Sequence, residues 1–457
     1  MSHSALCVKR LLGVLLLSVV ATAAQAATLR DANLLFIWID DLGTQRLDYP
    51  EAKLPNLDLL AERGVTFTRA YAPSPLCSPS RGAVLSGLPN HVSGHSTNLN
   101  KTLFRNIPAY RDVLSWPEDL RKNYGRRTFV SGKIFHGKAD PESFDEFGPD
   151  FGGPEARGKV IERSATRFNT SFSEQPREET NDFLAAAFAA DVVGRAHAQP
   201  FVMMVGLRRP HRPFYVPEQY RLWELDEIGV PAGYIDGDRA DTRGGLGRRA
   251  AGFKRDQKRG VWPNLIRGYL AASAFADDAA GLVLDALASG PNANNTIVIA
   301  AGDHGFCLGE KDHVAKAVMW DCGSRTELII SAPGMPAAGA RVDNVVSLMD
   351  LQPTVRELMG LAPRDDIYGQ SLYPLLTGNG DGFRGFSIMT YKRKNWALRT
   401  DDYTLIRYRS ERMEEFYDHA SDPYEHTNLL RVTAEPEGHA DMQAALERLL
   451  DGEPTPF

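Results

Sequence analysis

Six apolar residues in a row, Leu34 to Ile39, run straight into two aspartates, Asp40 and Asp41. A strand that is apolar on both faces must be covered on both sides, which places it inside a layered α/β domain. The rest of the chain repeats the theme. Val65 to Ala70, Phe201 to Leu207, Thr296 to Ala301 and Glu327 to Ser331 read as further buried strands. Helical segments fall between them: Asp58 to Arg63, stopping at Gly64, then Phe183 to His197 and Asp277 to Ala288. This alternation predicts a large, mainly parallel sheet flanked by helices. After about Gly380 the pattern changes to short pieces, Phe386 to Tyr391, Trp396 to Thr400, Tyr403 to Tyr408 and Glu415 to Asp418. These predict a small antiparallel sheet closed by a helix from Met442 to Leu450. The expected division is therefore 27–380 for the main domain and 381–457 for a C-terminal subdomain.

Residues 1–26 read differently. Lys9 and Arg10 precede the apolar run Leu11 to Val20, and Ala24-Gln25-Ala26 supplies small residues for cleavage. That is the form of a secretory signal peptide, so a secreted or periplasmic chain is expected, with no membrane attachment after cleavage. Cleavage also removes Cys7 and leaves Cys77, Cys307 and Cys322. An odd number of thiols in an exported protein points to one that is free or chemically altered. If Cys77 is that one, Cys307 and Cys322 remain to pair, provided their separation allows it. The formal net charge is −6 with no sustained like-charge run, which argues against nucleic acid as a partner.

Five polar clusters lie at the C-terminal ends of the expected strands or in the loops that follow, the edge at which open α/β sheets bind ligands. Asp40-Asp41 reads either as a turn cap or as part of a hard-cation site. Cys77-Ser78-Pro79-Ser80-Arg81 opens a short helix, with Arg81 one turn from a thiol that is either activated or merely a small apolar filler. Lys133 and His136 follow the strand-like Arg127 to Val130. His211 sits between Pro210 and Pro213 in Arg209-Pro210-His211-Arg212-Pro213-Phe214, where the prolines restrict the loop. Asp303 and His304 end the strand from Thr296, flanked by Gly302 and Gly305, with Lys316 further along. The segment Gly237 to Gly260, rich in arginine and lysine, reads either as a solvated loop or as a basic lip for an anionic substrate.

The second cluster carries a resemblance. Cys77-Ser78-Pro79-Ser80-Arg81 with Leu85-Ser86-Gly87 is similar to the signature of the type I sulfatases. Gly132 to His136, Pro210 to Phe214, Asp303 to Glu310 and Asp422 to Leu429 extend it over nearly the whole mature chain. In detail they look like the iduronate-2-sulfatase branch, with Cys307 and Lys311-Asp312-His313 as departures. The resemblance implies an alkaline-phosphatase-like fold and oxidation of Cys77 to formylglycine by a formylglycine-generating enzyme. It further implies one divalent cation, calcium, held by Asp40, Asp41, Cys77, Asp303 and His304. The hydrated aldehyde would attack sulfur and later expel sulfate. Lys133 and Lys316 would stabilise the shifting charge, and Arg81 would position diol and cation. His211 would protonate the leaving alcohol and His136 would assist diol breakdown or sulfate binding. Arg208, Arg209, Arg212 and Lys392 to Lys394 beside Trp396 suggest a sulfated carbohydrate or other sulfated small molecule as substrate. The competing expectations are a phosphonate monoester or phosphodiester hydrolase, a choline or aryl sulfatase, and a silent carbohydrate-binding protein on the same fold.

Overall fold

A computed structural model describes residues 29–99, 104–150, 159–163, 170–242, 247–409 and 413–456. The expected signal peptide, residues 1–26, lies outside the described residues. The strand Asn33–Ile39 is the centre of a nine-stranded sheet. Phe201–Leu207 and Thr296–Gly302 pair with it in parallel on either side. Arg127–Gly132 adds in parallel beyond Phe201–Leu207. On the other flank Leu328–Ser331 is antiparallel to both Thr296–Gly302 and Val65–Tyr71. The sheet is thus mixed and mainly parallel, as the alternating pattern predicts.

Both faces of the central strand are covered. Leu34, Phe36 and Trp38 join one apolar cluster, while Leu35, Ile37 and Ile39 join another on the opposite face. Each is at most 1% exposed, and such burial contributes about 1.5–3 kcal/mol per large side chain. The second face is covered largely by the helices Asn181–Gly194 and Trp262–Ser289. The latter is far longer than the expected Asp277 to Ala288. Its first half is buried nearly all round, so it lacks the polar stripe that marks a surface helix.

The basic segment Gly237 to Gly260 is corrected by the structure. It holds a 3-10 turn, Asp238–Asp241, and the helix Gly247–Lys258, rather than a plain loop. Phe253 is buried in the second cluster, Arg239 lies over the Trp320 ring, and Lys254 pairs with Asp312. These three residues are structural parts of the fold.

The C-terminal strands Phe386–Tyr391, Asn395–Thr400, Tyr403–Tyr408 and Glu414–Asp418 form one antiparallel sheet. Its side chains alternate cleanly. Met389, Ala397, Ile406 and Tyr417 enter the first cluster of the main body. Ile388, Leu398, Leu405 and Phe416 face the helix His439–Leu450 through Met442, Leu446 and Leu449. Trp396 packs with this second set, away from the main body, so it is no neighbour for a substrate held there.

Candidate active site

The residues at the strand ends meet. Asp40 and Asp41 leave the central strand fully buried, and Asp41 takes a left-handed φ of 66°. That conformation is costly for a residue other than glycine and is common where a turn is held for function. The Tyr269 hydroxyl braces it, donating to the Asp41 carbonyl at 2.7 Å and accepting from the Gly43 N–H at 3.1 Å. Cys77 begins the helix Cys77–Ser86, every residue of which is buried. Its Sγ lies 3.3 Å from His304 Nε2 and 3.7 Å from Asp41 Oδ1. Asp303 Oδ1 accepts from the Asp41 N–H at 2.9 Å, and His304 Nε2 is 3.3 Å from Asp41 Oδ1.

Cations surround this cluster. Arg81 donates Nε to Asp303 at 2.8 Å, reaches Asp40 at 3.4 Å, and rests its guanidinium 4.6 Å from the centre of the Trp38 ring. Lys133 bonds Asp40, and Lys316 bonds Asp41 while donating to Cys77 Sγ at 2.8 Å. One ring nitrogen of His211 lies within 4.8 Å of ligand atoms of Asp40, Asp41 and Cys77, a proximity to the ligand group that sequence reasoning missed. Its Nδ1 is 2.7 Å from the Arg212 carbonyl oxygen, which can only accept, so Nδ1 carries hydrogen. His136 is half-buried, and the charges of Lys133, Asp40, Arg81 and Lys316 act on it.

The electrostatics follow from burial and this cage of charge. Burial alone would raise Asp40, yet Lys133, His211 and Arg81 hold its carboxyl well below the usual range. Burial, and then the charge of Asp40, push the Cys77 thiol up, so the bare thiol is a poor source of thiolate. Burial lowers Lys316, but the carboxylates of Asp41 and Asp40 carry it above the ordinary lysine range. Burial and then Lys316 hold His211 well below its ordinary value, and burial and then Lys133 lower His136 to about 4.

Two glycines let the strand ends close in. A Cβ on Gly206 would stand 2.0 Å from the Lys133 carbonyl oxygen, and one on Gly302 would stand 1.9 Å from that of Leu42. Lys316 arrives by another route, on the ribbon Cys307–Gly309 and His313–Ala315. A disulfide joins Cys307 to Cys322 at its base, with Cα atoms 4.8 Å apart. Lys311, buried, pairs with Asp238 at 2.9 Å, Asp312 pairs with Lys254 at 2.8 Å, and His313 Nε2 lies 3.3 Å from the Lys316 carbonyl. Lys311, Asp312, Ala315 and Ala317 all have positive φ, so the ribbon is held in a tight path. Behind Cys77, Ser78 is fixed by Asn98 Oδ1 on its N–H at 3.1 Å and by His95 Nε2 at 3.0 Å from its hydroxyl. Sequence reasoning also missed Trp38, His95, Asn98 and Tyr269; nothing in their local pattern separates them from core or loop residues.

Asp40, Asp41, Cys77 and His211 form one group of possible donors and Cys77, Asp303 and His304 another, joined through Cys77 and rich in the oxygen ligands that suit a hard cation. Asp41 Oδ2 is buried without a hydrogen-bond partner among the described residues, and two lysine ammonium groups press on the same carboxylates. The residues fit a divalent cation.

The sulfatase family profile matches residues 32–361, and that of the N-sulphoglucosamine sulphohydrolase C-terminal region matches residues 309–452. This chain belongs to the sulfatase family and is a sulfuric ester hydrolase with the alkaline-phosphatase-like fold. A sulfatase of Formosa agariphila is 34% identical over 427 residues, covering 87% of this chain and 82% of that protein. Iduronate 2-sulfatase of Mus musculus is 26% identical over 408 residues, covering 74% and 71%. Among solved structures, a phosphonate monoester hydrolase of Silicibacter pomeroyi superposes with a TM-score of 0.76 at 22% identity, covering 92% and 94%. That last likeness speaks to the fold.

Proposed function

We propose that the chain hydrolyses a sulfate ester on a sulfated carbohydrate, using formylglycine made from Cys77 and one calcium ion. The observation that carries this reading is the convergence of Asp40, Asp41, Asp303 and His304 on Cys77 inside a ring formed by Arg81, Lys133 and Lys316. A cation bound there would supply Lewis acidity to a sulfate oxygen, and the oxidised side chain would supply the oxygen nucleophile. Asp40, Asp41, Asp303 and His304 would hold that cation, with the side chain at position 77 completing the set.

The other roles belong to the chain itself. Lys133 and Lys316, held on Asp40 and Asp41 beside Cys77, stabilise negative charge on a sulfuryl group bound there, and such donors gain strength when water is excluded. Arg81 is locked between Trp38 and Asp303, so it orients rather than reacts. Asp303 accepts the nucleophile's proton. His211, which brings a ring nitrogen to the ligand cluster, passes a proton to the leaving alcohol, and His136 serves sulfate binding or release. Burial and Lys316 disfavour the charged imidazole, and an arriving sulfate ester monoanion counters this with negative charge. Oxidation of Cys77 requires a formylglycine-generating enzyme as partner, and export of the chain by its N-terminal leader is part of the same proposal. So is a boundary near residue 380 between the catalytic part and the C-terminal sheet.

The fold is shared with phosphonate hydrolases, so substrate choice must be measured. Mass spectrometry of the peptide containing residue 77 is expected to show formylglycine, and turnover of p-nitrophenyl sulfate is expected to exceed that of phenyl phosphonate. An unmodified thiol in active enzyme, or faster phosphonate turnover, overturns the reading.

A further inference from the structure

The hairpin turn at Lys392, Arg393 and Lys394 is chemically odd. It joins Tyr391 to Asn395, which pair across the strands, so the three cations make up the whole loop. Lys392 and Arg393 both take left-handed backbone, with φ of 52° and 60°. Hairpin turns of this kind ordinarily use glycine or asparagine at such positions, because a β-carbon crowds the backbone there. All three side chains are exposed, and among the described residues none makes an ion pair. Lys392 rests its ammonium 5.0 Å from the centre of the Tyr391 ring, and a strained turn that keeps three cations free of carboxylates, where neutral residues would fold better, is a sign of use.

The turn is also fixed in place. The Lys392 N–H donates to the Ser96 carbonyl at 3.3 Å, and the Arg393 N–H donates to the Ser96 hydroxyl at 3.0 Å. The segment around Ser96 is the one that holds Ser78, through His95 and Asn98, immediately beside Cys77. Tyr391, at the base of the turn, is buried in the same cluster as Leu85 of the Cys77 helix. The tip of the C-terminal sheet is therefore bolted to the support of the reactive side chain.

We infer that Lys392, Arg393 and Lys394 form a subsite for a second anionic group of the substrate, a carboxylate or another sulfate, lying beyond the ester that is cleaved. This rests on the proposed sulfated-carbohydrate reading and sharpens it to a sugar of at least two negative charges. The subsite selects by charge and approach and leaves the chemical step alone, since no cation of the turn bonds Cys77 or its ligand cluster.

The test is the triple variant Lys392→Asn/Arg393→Gly/Lys394→Gln, which removes the charges and installs residues that favour the left-handed turn. Rates are measured on p-nitrophenyl sulfate, on a neutral monosulfated sugar, on a sulfated uronate and on a disulfated sugar. The expected result is unchanged kcat and KM on the first two and a KM raised about tenfold on one or both of the last two, from losing up to three partly exposed ion pairs. The uronate and disulfated arms tell which anion is read. Wild-type preference for the doubly charged sugar should also shrink with added salt. Equal rates for variant and wild type on every sugar, or an equal loss on all four substrates, overturn the subsite while leaving the sulfatase reading intact. Wild-type enzyme that turns over the aryl ester but no sugar overturns both the subsite and the carbohydrate substrate.

Discussion

Two parts of the site reach the same point by opposite means. Asp40, Asp41, Lys133 and Asp303 leave the ends of neighbouring parallel strands, so sheet register brings them close. Their positions are set by backbone hydrogen bonds and by glycines that let strand ends touch. Lys316 lies on a ribbon outside the sheet, and that ribbon must be tied down by a disulfide, two ion pairs and a histidine. The contrast teaches that a buried sheet delivers side chains to one edge and leaves only local bracing to add, such as Tyr269 on Asp41, whereas a loop needs a clamp for every degree of freedom it would otherwise keep.

The largest expected effect comes from striking the strand-borne half. Asp303→Asn removes one proposed cation donor and the charged partner of Arg81, and kcat/KM on p-nitrophenyl sulfate should fall by about a thousandfold. A loss below tenfold, in protein that is folded by circular dichroism, would remove Asp303 from its proposed role. Next, Gly206→Ala puts a methyl group into the Lys133 backbone. The strand end must shift, so activity should drop about a hundredfold although no side chain in the site has changed. Wild-type activity in that variant would show that sheet register does not set the position of Lys133.

The ribbon-borne half should respond more mildly. Replacing Cys307 and Cys322 by serine opens a link of sequence separation 15, for which a loss of about 3 kcal/mol in unfolding free energy is expected. The kcat should fall about tenfold, and the same replacement in a Lys316→Ala background should cost little more. Equal losses in both backgrounds would mean that the disulfide does not act through Lys316. Smallest of all, the scaffold carries its own pH dependence, remote from the proposed ligands. Asp277 caps the Pro55–Arg63 helix by accepting from the N–H groups of Asn56 and Leu57, and burial raises its pKa to about 6. The folded value lies above the unfolded one, about 4. Its contribution is therefore complete at low pH and is lost as pH rises from about 4 through about 6. Asp277→Asn should flatten the stability curve in that window and leave its shape elsewhere unchanged, as read by thermal melts across pH.

Much of the site was legible because chemistry-bearing residues stand directly after apolar runs. Asp40-Asp41 follows six apolar residues, and Asp303-His304 ends another such run, so both could be placed at one sheet edge from the sequence alone. The antiparallel C-terminal strands were equally plain, because their side chains alternate between two clusters. The loop reading of the basic segment failed because charge hid a helix that buried Phe253 anchors to the core. Tyr269 gave no signal at all, since its role is to meet Asp41 and Gly43, which lie more than two hundred residues away.

The sequence by itself determined the layered α/β class, the strand-end clusters and the membership that Cys77 to Arg81 imply. Only the tertiary structure decided that Cys307 and Cys322 are joined, that Trp396 faces away from the main body, and that the Lys392 turn is bolted beside Ser78. The physical reason is range. Periodicity and motif spacing record what a residue does within its own element, whereas a pairing between distant elements depends on how the layers are stacked.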